Sequence, residues 1–212
     1  YNVVLKYISY NKYLSFYISI MVLEVVIAYY NNVSWKTFLK DLETYNSEYS
    51  VKLYNKSKKK YNAGRDYIKV EQLVNIGRES ETYLTHIINN YNILSEYTLF
   101  IQDDIGRHVP DNKIFIEKGN KFKMFPCIWR PGINPIIRTI HDGCCELATL
   151  PCRDAIKKMC LHNNVYLPKT YKTETCAFFI CHKDIIQKRS LAFYKKLREW
   201  LLSNDKNGYV LE

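Results

Sequence analysis

The sequence predicts an α/β fold with a mostly parallel central sheet flanked by helices. Apolar runs of strand length lie at 22–29, 50–55 and 97–102, and segments of helical length separate them. This alternation of strand and helix is typical of parallel sheets whose helices cover both faces. The chain has 212 residues, of which 47% are hydrophobic, so it can form one domain with a substantial core.

The first strand and helix have clear local signals. The run VLEVVIAY at 22–29 is rich in β-branched residues and has the length of a buried parallel strand. Two asparagines follow it. Ser34 is a favourable N-cap residue, so a helix is expected from Trp35 to about Asn46.

The next elements continue the alternation. SVKLYN at 50–55 predicts the second strand, and 56–68 is interpreted as a basic loop. The second helix is expected at about 80–91, and YTLFIQ at 97–102 predicts the third strand. The apolar residues of that helix share one face; they are Tyr83, Leu84, Ile87, Ile88 and Tyr91.

The second half is less regular. Residues 105–150 contain most of the prolines and are interpreted as loops with short elements. A helix is expected at 151–163, a fourth strand at 175–181 and a helix at 183–203. Residues 1–20 are interpreted as an N-terminal extension, and 21–212 as a single domain.

Composition limits the classes of function. The formal charge of +10 fits phosphate-bearing partners, but it also fits a lysine-rich codon bias. The chain contains no recognisable nucleic-acid-binding motif, so no nucleic-acid partner is expected. No uncharged apolar run reaches 18 residues, so no membrane span is expected.

The seven cysteines favour a reducing compartment, because their number is odd and no Cys-x-x-Cys pair occurs. We therefore expect the protein in the cytoplasm, or in the host-cell cytoplasm if it is viral. The spacing of Cys152, Cys160 and His162 fits no usual zinc pattern. Neither the oligomeric state nor a catalytic acid or base follows from the sequence.

Polar residues follow the predicted strands, where open α/β sheets bind their ligands. Tyr30 and Asn31 follow the first strand, Asn55 and Lys56 end the second, and Asp103 and Asp104 follow the third. These strand ends could converge on one crevice. Adjacent carboxylates are costly to hold together unless a cation neutralises them, which indicates a divalent metal site. The alternative is a solvated turn with two surface acids.

The segment Asn75–Glu79, with sequence NIGRE, is the second candidate. Gly77 permits a positive φ angle, and the guanidinium of Arg78 can clamp a phosphate. The free N–H groups at a helix N-terminus also suit an anion. The alternative is a helix cap with a structural ion pair.

Other candidates are weaker. His86 lies on the second helix and is expected to be a packed residue. His108 and His141, in the loop region, could reach a metal or a phosphate. The sequence WRPG at 129–132 could form a stacking platform for a sugar or acceptor, or a packed loop.

Several of these segments together resemble an uncharacterised, glycosyltransferase-like family of fungal, algal and large-DNA-virus proteins. The family carries an N-[VI]-G-R-E-x-x-T-Y-L core followed by F-x-Q, which stand here at 75–84 and 100–102. Further similar segments are VVIAYY at 25–30, VKLYNK at 51–56, HIINNY at 86–91, CAFFICHKDII at 176–186 and GYVLE at 208–212. The resemblance covers about 22–212.

This family is similar to nucleotide-sugar transferases of the A-type glycosyltransferase fold, such as chlorella-virus glycosyltransferases. The resemblance implies metal-assisted transfer of a hexose from a nucleotide sugar, probably UDP-linked, to a glycan, protein or lipid. It implies that Tyr29, Tyr30 and Asn31 border the uracil or ribose, and that Asn75 and Arg78 face the nucleotide or diphosphate. Asp103 and Asp104 would take the place of the acidic motif that binds Mn²⁺ or Mg²⁺.

The metal motif departs from the usual form of that fold, which is Asp-x-Asp, whereas this chain has Gln102-Asp103-Asp104. The resemblance therefore does not fix which of the two acids binds a metal.

The alternative function is a module of the same fold that binds a nucleotide or sugar without catalysis. A further alternative is a basic nucleic-acid-binding protein.

Overall fold

The computed structural model of the chain describes residues 23–44, 48–62, 64–105, 136–139, 152–166, 170–173, 178–205 and 207–210. The predicted extension at 1–20 lies outside these residues. So do His108, His141 and the segment 129–132, and the predictions made for them stay predictions.

A five-stranded, mostly parallel sheet forms the centre of the described structure, as the sequence predicted. Strand β1 (Leu23–Tyr29) lies between β2 (Tyr49–Asn55) and β4 (Tyr97–Gln102) and is parallel to both. Strand β3 (Ile68–Gln72) is parallel to β2 at one edge. At the other edge β7 (Phe179–His182) is antiparallel to β4, so the strand order is β3-β2-β1-β4-β7.

Helices cover both faces of this sheet. Alternate side chains of β1, such as Val25 and Ile27, point to helix α1 (Ser34–Glu43), where they meet Trp35 and Phe38. The side chains between them point to the opposite face and to helix α2. Helix α2 spans Arg78–Asn90. Its buried apolar residues belong to the face that the sequence predicted; they are Tyr83, Leu84 and Ile87.

The start of α1 differs from the prediction. The helix begins at Ser34, and the cap position is Val33, whose side chain makes no capping hydrogen bond. Ser34 donates its hydroxyl to the carbonyl of Asp103 at 2.9 Å, and its N–H donates to Asn32 Oδ1 at 2.9 Å. The serine therefore ties the helix to the end of β4 and does not serve as its N-cap.

Strand β3 was missed because it lies at an edge. Its sequence IKVEQ has one buried residue, Ile68, and its other side chains are exposed or half-buried. A strand with one buried side chain has almost no apolar pattern, so the sequence did not predict a strand here. Pairing with β2 from Val51 to Asn55 makes it a strand.

The second half contains more elements than predicted. Helix α3 (Cys152–His162) agrees with the prediction, and a two-stranded antiparallel sheet of β5 (Ile136–Thr139) and β6 (Thr170–Thr173) was not expected. The predicted helix at 183–203 is two helices, α4 (Lys183–Gln187) and α5 (Leu191–Leu202).

The break between α4 and α5 is caused by Ser190. The backbone of Ser190 is extended, and its hydroxyl accepts from the N–H of Phe193 at 3.2 Å, which starts a new helix. A one-turn 3₁₀ helix, Asn207–Val210, follows α5. Among the described residues, no helix combines the length and apolarity needed to cross a membrane.

Candidate functional site

The parallel strands bring the predicted site segments to one edge of the sheet. In the register of the sheet Tyr29 lies beside Asn55, and Ala28 lies beside Gln102. Lys56 donates its N–H to the carbonyl of Tyr29 at 2.8 Å, and Asp103 donates its N–H to that of Ala28 at 3.1 Å. The expectation that the carboxyl ends of these strands meet is confirmed, and this edge is the candidate site.

Asp103 is bound by the loop that follows β1. Its Oδ2 accepts hydrogen bonds from the backbone N–H groups of Tyr30 at 2.8 Å, Asn31 at 2.7 Å and Asn32 at 2.7 Å. The residue is 7% exposed. Hydrogen bonds to an ionised carboxylate are among the stronger ones in proteins, so Asp103 fixes the conformation of residues 30–32.

This geometry separates the roles of the two predicted metal ligands. The sequence argument required a cation to neutralise adjacent carboxylates, but three N–H dipoles already stabilise the charge of Asp103. Its Oδ2 therefore does not fit a metal ligand. Asp104, which is half-buried, is the acid that the metal prediction retains. In the ranges that the structure describes, no three His, Cys, Asp or Glu side chains form a group that could hold a metal ion.

Gly77 and Arg78 form a left-handed turn at the N-terminus of α2. Their φ angles are +61° and +54°, so the positive φ expected of Gly77 is confirmed. A Cβ atom on Gly77 would lie 2.8 Å from Cβ of Glu81, which no other residue could tolerate without a shift. Arg78 has a side chain and adopts a conformation that few residues other than glycine occupy, so the surrounding structure must hold it.

Lys56 holds one side of this turn. It is 5% exposed, and its ammonium group donates to the carbonyls of Ile76, at 2.6 Å, and of Arg78. It also pairs with the carboxylate of Glu81, which is 2% exposed, at 3.2 Å. Burial lowers the pKa of Lys56, and the nearby Glu81 opposes that shift.

Sequence reasoning placed Lys56 at this edge, as the residue after the second predicted strand, but it did not predict that the lysine is buried or that it contacts the Gly77–Arg78 turn. The one available signal was its position directly after the apolar run of β2. The buried carboxylate that stabilises its charge is 25 residues away along the chain.

A second contact joins the turn to the end of β4. Gln102 donates its side-chain amide to Oε1 of Glu79, and Nε of Arg78 lies 3.6 Å from the other oxygen of that carboxylate. Glu79 therefore connects the α2 N-terminus to the segment that carries Asp103. The Arg78 side chain remains 38% exposed at this edge.

The remaining predicted site residues differ in burial: three are exposed and one is buried. Tyr30 is 58% exposed, and Asn31 and Asn75 are exposed, so all can contact a ligand. Tyr29 is 7% exposed, and its ring packs against Tyr61 with ring centroids 4.6 Å apart. Burial raises the pKa of Tyr29, and its side chain forms part of the core and does not line the exposed edge.

His86 is a packed residue, as expected. It is fully buried, with Nδ1 3.2 Å from the Tyr54 hydroxyl and Nε2 3.4 Å from Oε2 of Glu24. Burial alone would raise the pKa of Glu24, but the contact with His86 and the charges of Lys52 and Lys69 together lower it more, so the pKa is below its ordinary value. The contact joins α2 to the start of β1, away from the candidate site.

One comparison with known proteins gives a match. Residues 25–124 are similar to a family described as "Protein of unknown function (DUF3431)". That stretch includes the predicted site residues from Tyr29 to Asp104, and it ends before helix α5. No curated protein and no solved structure matches the chain.

Proposed function

We propose that this edge of the sheet binds a nucleotide sugar, with uridine as the nucleoside, and that the protein transfers the hexose to a hydroxyl of a glycan, protein or lipid. The observation that carries the proposal is Arg78, held in a left-handed turn at the N-terminus of α2 with its side chain exposed. A guanidinium group at a helix N-terminus offers fixed donors and positive potential to a diphosphate.

The neighbouring side chains suit the rest of such a ligand. Tyr30 offers an exposed ring on which a base can stack, and Asn31 and Asn75 offer exposed amides for base or ribose. Glu79 contacts Arg78 and Gln102 and so limits the directions that the guanidinium can take.

Transfer requires charge stabilisation on the leaving group. The acceptor oxygen forms a bond to the anomeric carbon, the bond from that carbon to the β-phosphate oxygen breaks, and the acceptor proton passes to a base. The nucleoside diphosphate leaves with one additional negative charge. Arg78 would stabilise that charge through donors already in position.

Asp104 fits a divalent cation, because Mg²⁺-type ions use one or two carboxylates together with substrate phosphates. A bound Mn²⁺ or Mg²⁺ would neutralise part of the diphosphate charge. Asp103 would act indirectly, by holding the loop of Tyr30 and Asn31.

A second candidate function is a nucleotide-binding module without transfer. It is favoured by the commitment of Asp103 Oδ2 to three backbone N–H groups, which leaves one acid of the pair for metal chemistry. Release of UDP from UDP-hexoses, with and without Mn²⁺, distinguishes the two. Turnover that is lost in Asp104→Asn supports the transferase, whereas tight binding without turnover supports the module.

The test of binding is calorimetric titration with UDP, beside GDP and CDP, of wild type and Arg78→Ala. Loss of charged hydrogen bonds worth about 1.5–3 kcal/mol predicts affinity at least roughly 10-fold weaker. The matched control is Arg65→Ala, since Arg65 is 44% exposed and pairs with Glu43 away from this edge. Equal affinity of Arg78→Ala and wild type, or equal weakening in the control, would contradict the proposal.

A further inference from the structure

The last described segment of the chain lies on the Gly77–Arg78 turn. Gly208, in the one-turn helix Asn207–Val210, is buried. A Cβ atom at Gly208 would lie 3.2 Å from both Cγ and Cδ of Arg78, and 3.3 Å from the backbone carbon of Gly77. The stem of Arg78 therefore packs directly against the backbone of Gly208.

The position of this one-turn helix is fixed by α5. Asn207 is 6% exposed and donates its side-chain amide to the carbonyl of Trp200 at 2.7 Å and to the Ser203 hydroxyl at 3.3 Å. Trp200 and Leu201 form an apolar cluster with Leu84 of α2. The C-terminal segment is thus attached to the helix that begins at Arg78.

Two cations that contact the buried carboxylate of Glu81 complete the attachment. Arg198 of α5 donates to Oε1 of Glu81 at 2.8 Å, while Lys56 pairs with the other oxygen of the same carboxylate at 3.2 Å. The turn is consequently held by Lys56 on one side and by α5 with Gly208 on the other. Both Arg198 and Gly208 lie beyond the stretch at 25–124 that matches the family.

We propose that Gly208 is a positioning residue, which directs the Arg78 side chain toward the diphosphate of the ligand. The inference rests on the proposed function, because it assigns Arg78 to ligand binding. A Cβ atom at 208 would require the Arg78 stem to move by a few tenths of an ångström, and a branched side chain such as valine would require more, so the guanidinium would leave its present position.

The experiment is a double-mutant cycle on UDP affinity. It uses Gly208→Val, Arg78→Ala and their combination, since residues that act through one another give non-additive effects. Gly208→Val is expected to weaken UDP binding about 10-fold in wild type and less than about 2-fold in Arg78→Ala. Leu202→Val, at an exposed position of α5, is the control and should leave affinity unchanged.

An equal loss in both backgrounds, or no loss in either, would overturn the inference. Gly208→Ala, which adds the Cβ alone, serves as the milder variant if the valine variant does not fold; urea unfolding shows which variants are folded.

A second measurement separates this inference from the proposed function. The Nε–H resonance of Arg78 in a ¹H–¹⁵N spectrum, assigned by its loss in Arg78→Ala, should shift in Gly208→Val and stay in place in Leu202→Val. An unchanged resonance would overturn the positioning role. If the resonance shifts but the protein binds no UDP, the contact between Gly208 and Arg78 is supported and the assignment of Arg78 to nucleotide binding is refuted.

Discussion

Asp103→Asn removes a negative charge that three backbone N–H groups share. Charged hydrogen bonds contribute about 1.5–3 kcal/mol each, and neutral ones about 0.5–1.5 kcal/mol, so each bond loses roughly 1 kcal/mol. The three bonds, of 2.7–2.8 Å, give an upper value of about 3 kcal/mol. Residues 30–32 are exposed, so water can replace part of the lost hydrogen bonding. We therefore expect Asp103→Asn to lower the free energy of unfolding by about 2 kcal/mol.

Urea unfolding followed by tryptophan fluorescence measures this loss. The control is Asp66→Asn, which removes the charge of an exposed carboxylate. Its free energy of unfolding should stay within about 0.5 kcal/mol of wild type. Asp103→Asn should also weaken UDP binding, because the loop that carries Tyr30 and Asn31 loses its anchor. Equal stability of the two variants would refute the role given to Asp103.

Two further predictions concern buried charges. Lys56→Met should lower the free energy of unfolding in urea by about 3 kcal/mol, because it leaves the buried Glu81 with one cation fewer. Lys52→Met should lower it by less than about 1 kcal/mol, because its partner Glu71 is 39% exposed. Equal costs would contradict this. Glu24→Gln should cost about 1 kcal/mol at pH 7 by weakening the His86 contact. Since the pKa of Glu24 lies below its ordinary value of 4.5, its contribution is present above pH 4.5 and is lost as pH falls through the lowered pKa. The difference between Glu24→Gln and wild type should therefore shrink as pH falls below 4.5, and a constant difference would contradict the assignment.

Strong apolar runs made much of the fold predictable. Strands β1, β2 and β4 were found because their centres are buried on both faces and therefore read as apolar runs. Strand β3 has one buried residue, and its place in the sheet depends on pairing with β2, which no local pattern records. The break at Ser190 was missed because apolar periodicity continues across it.

The location of the candidate site could be predicted from the sequence, but the roles of its individual residues could not. Residues after parallel strands meet at one edge by the geometry of the sheet, so Asn31 and the Asp103–Asp104 pair could be brought together in advance. Arg78 follows a strand that the sequence did not predict, and only the resemblance placed it with them. The two acids are adjacent in sequence and look equivalent. Their difference comes from three N–H groups about 70 residues away, and the buried charge of Lys56 depends on a partner on another element.

Mapping UDP binding by backbone amide chemical shifts tests the central claim most directly. Titration of ¹⁵N-labelled protein with UDP, with and without Mg²⁺, should shift the amides of 30–32, 75–79 and 102–104 and leave those of α3 and of β7 in place. Shifts confined to another part of the chain, or the absence of any shift at millimolar UDP, would contradict a nucleotide site at this edge of the sheet.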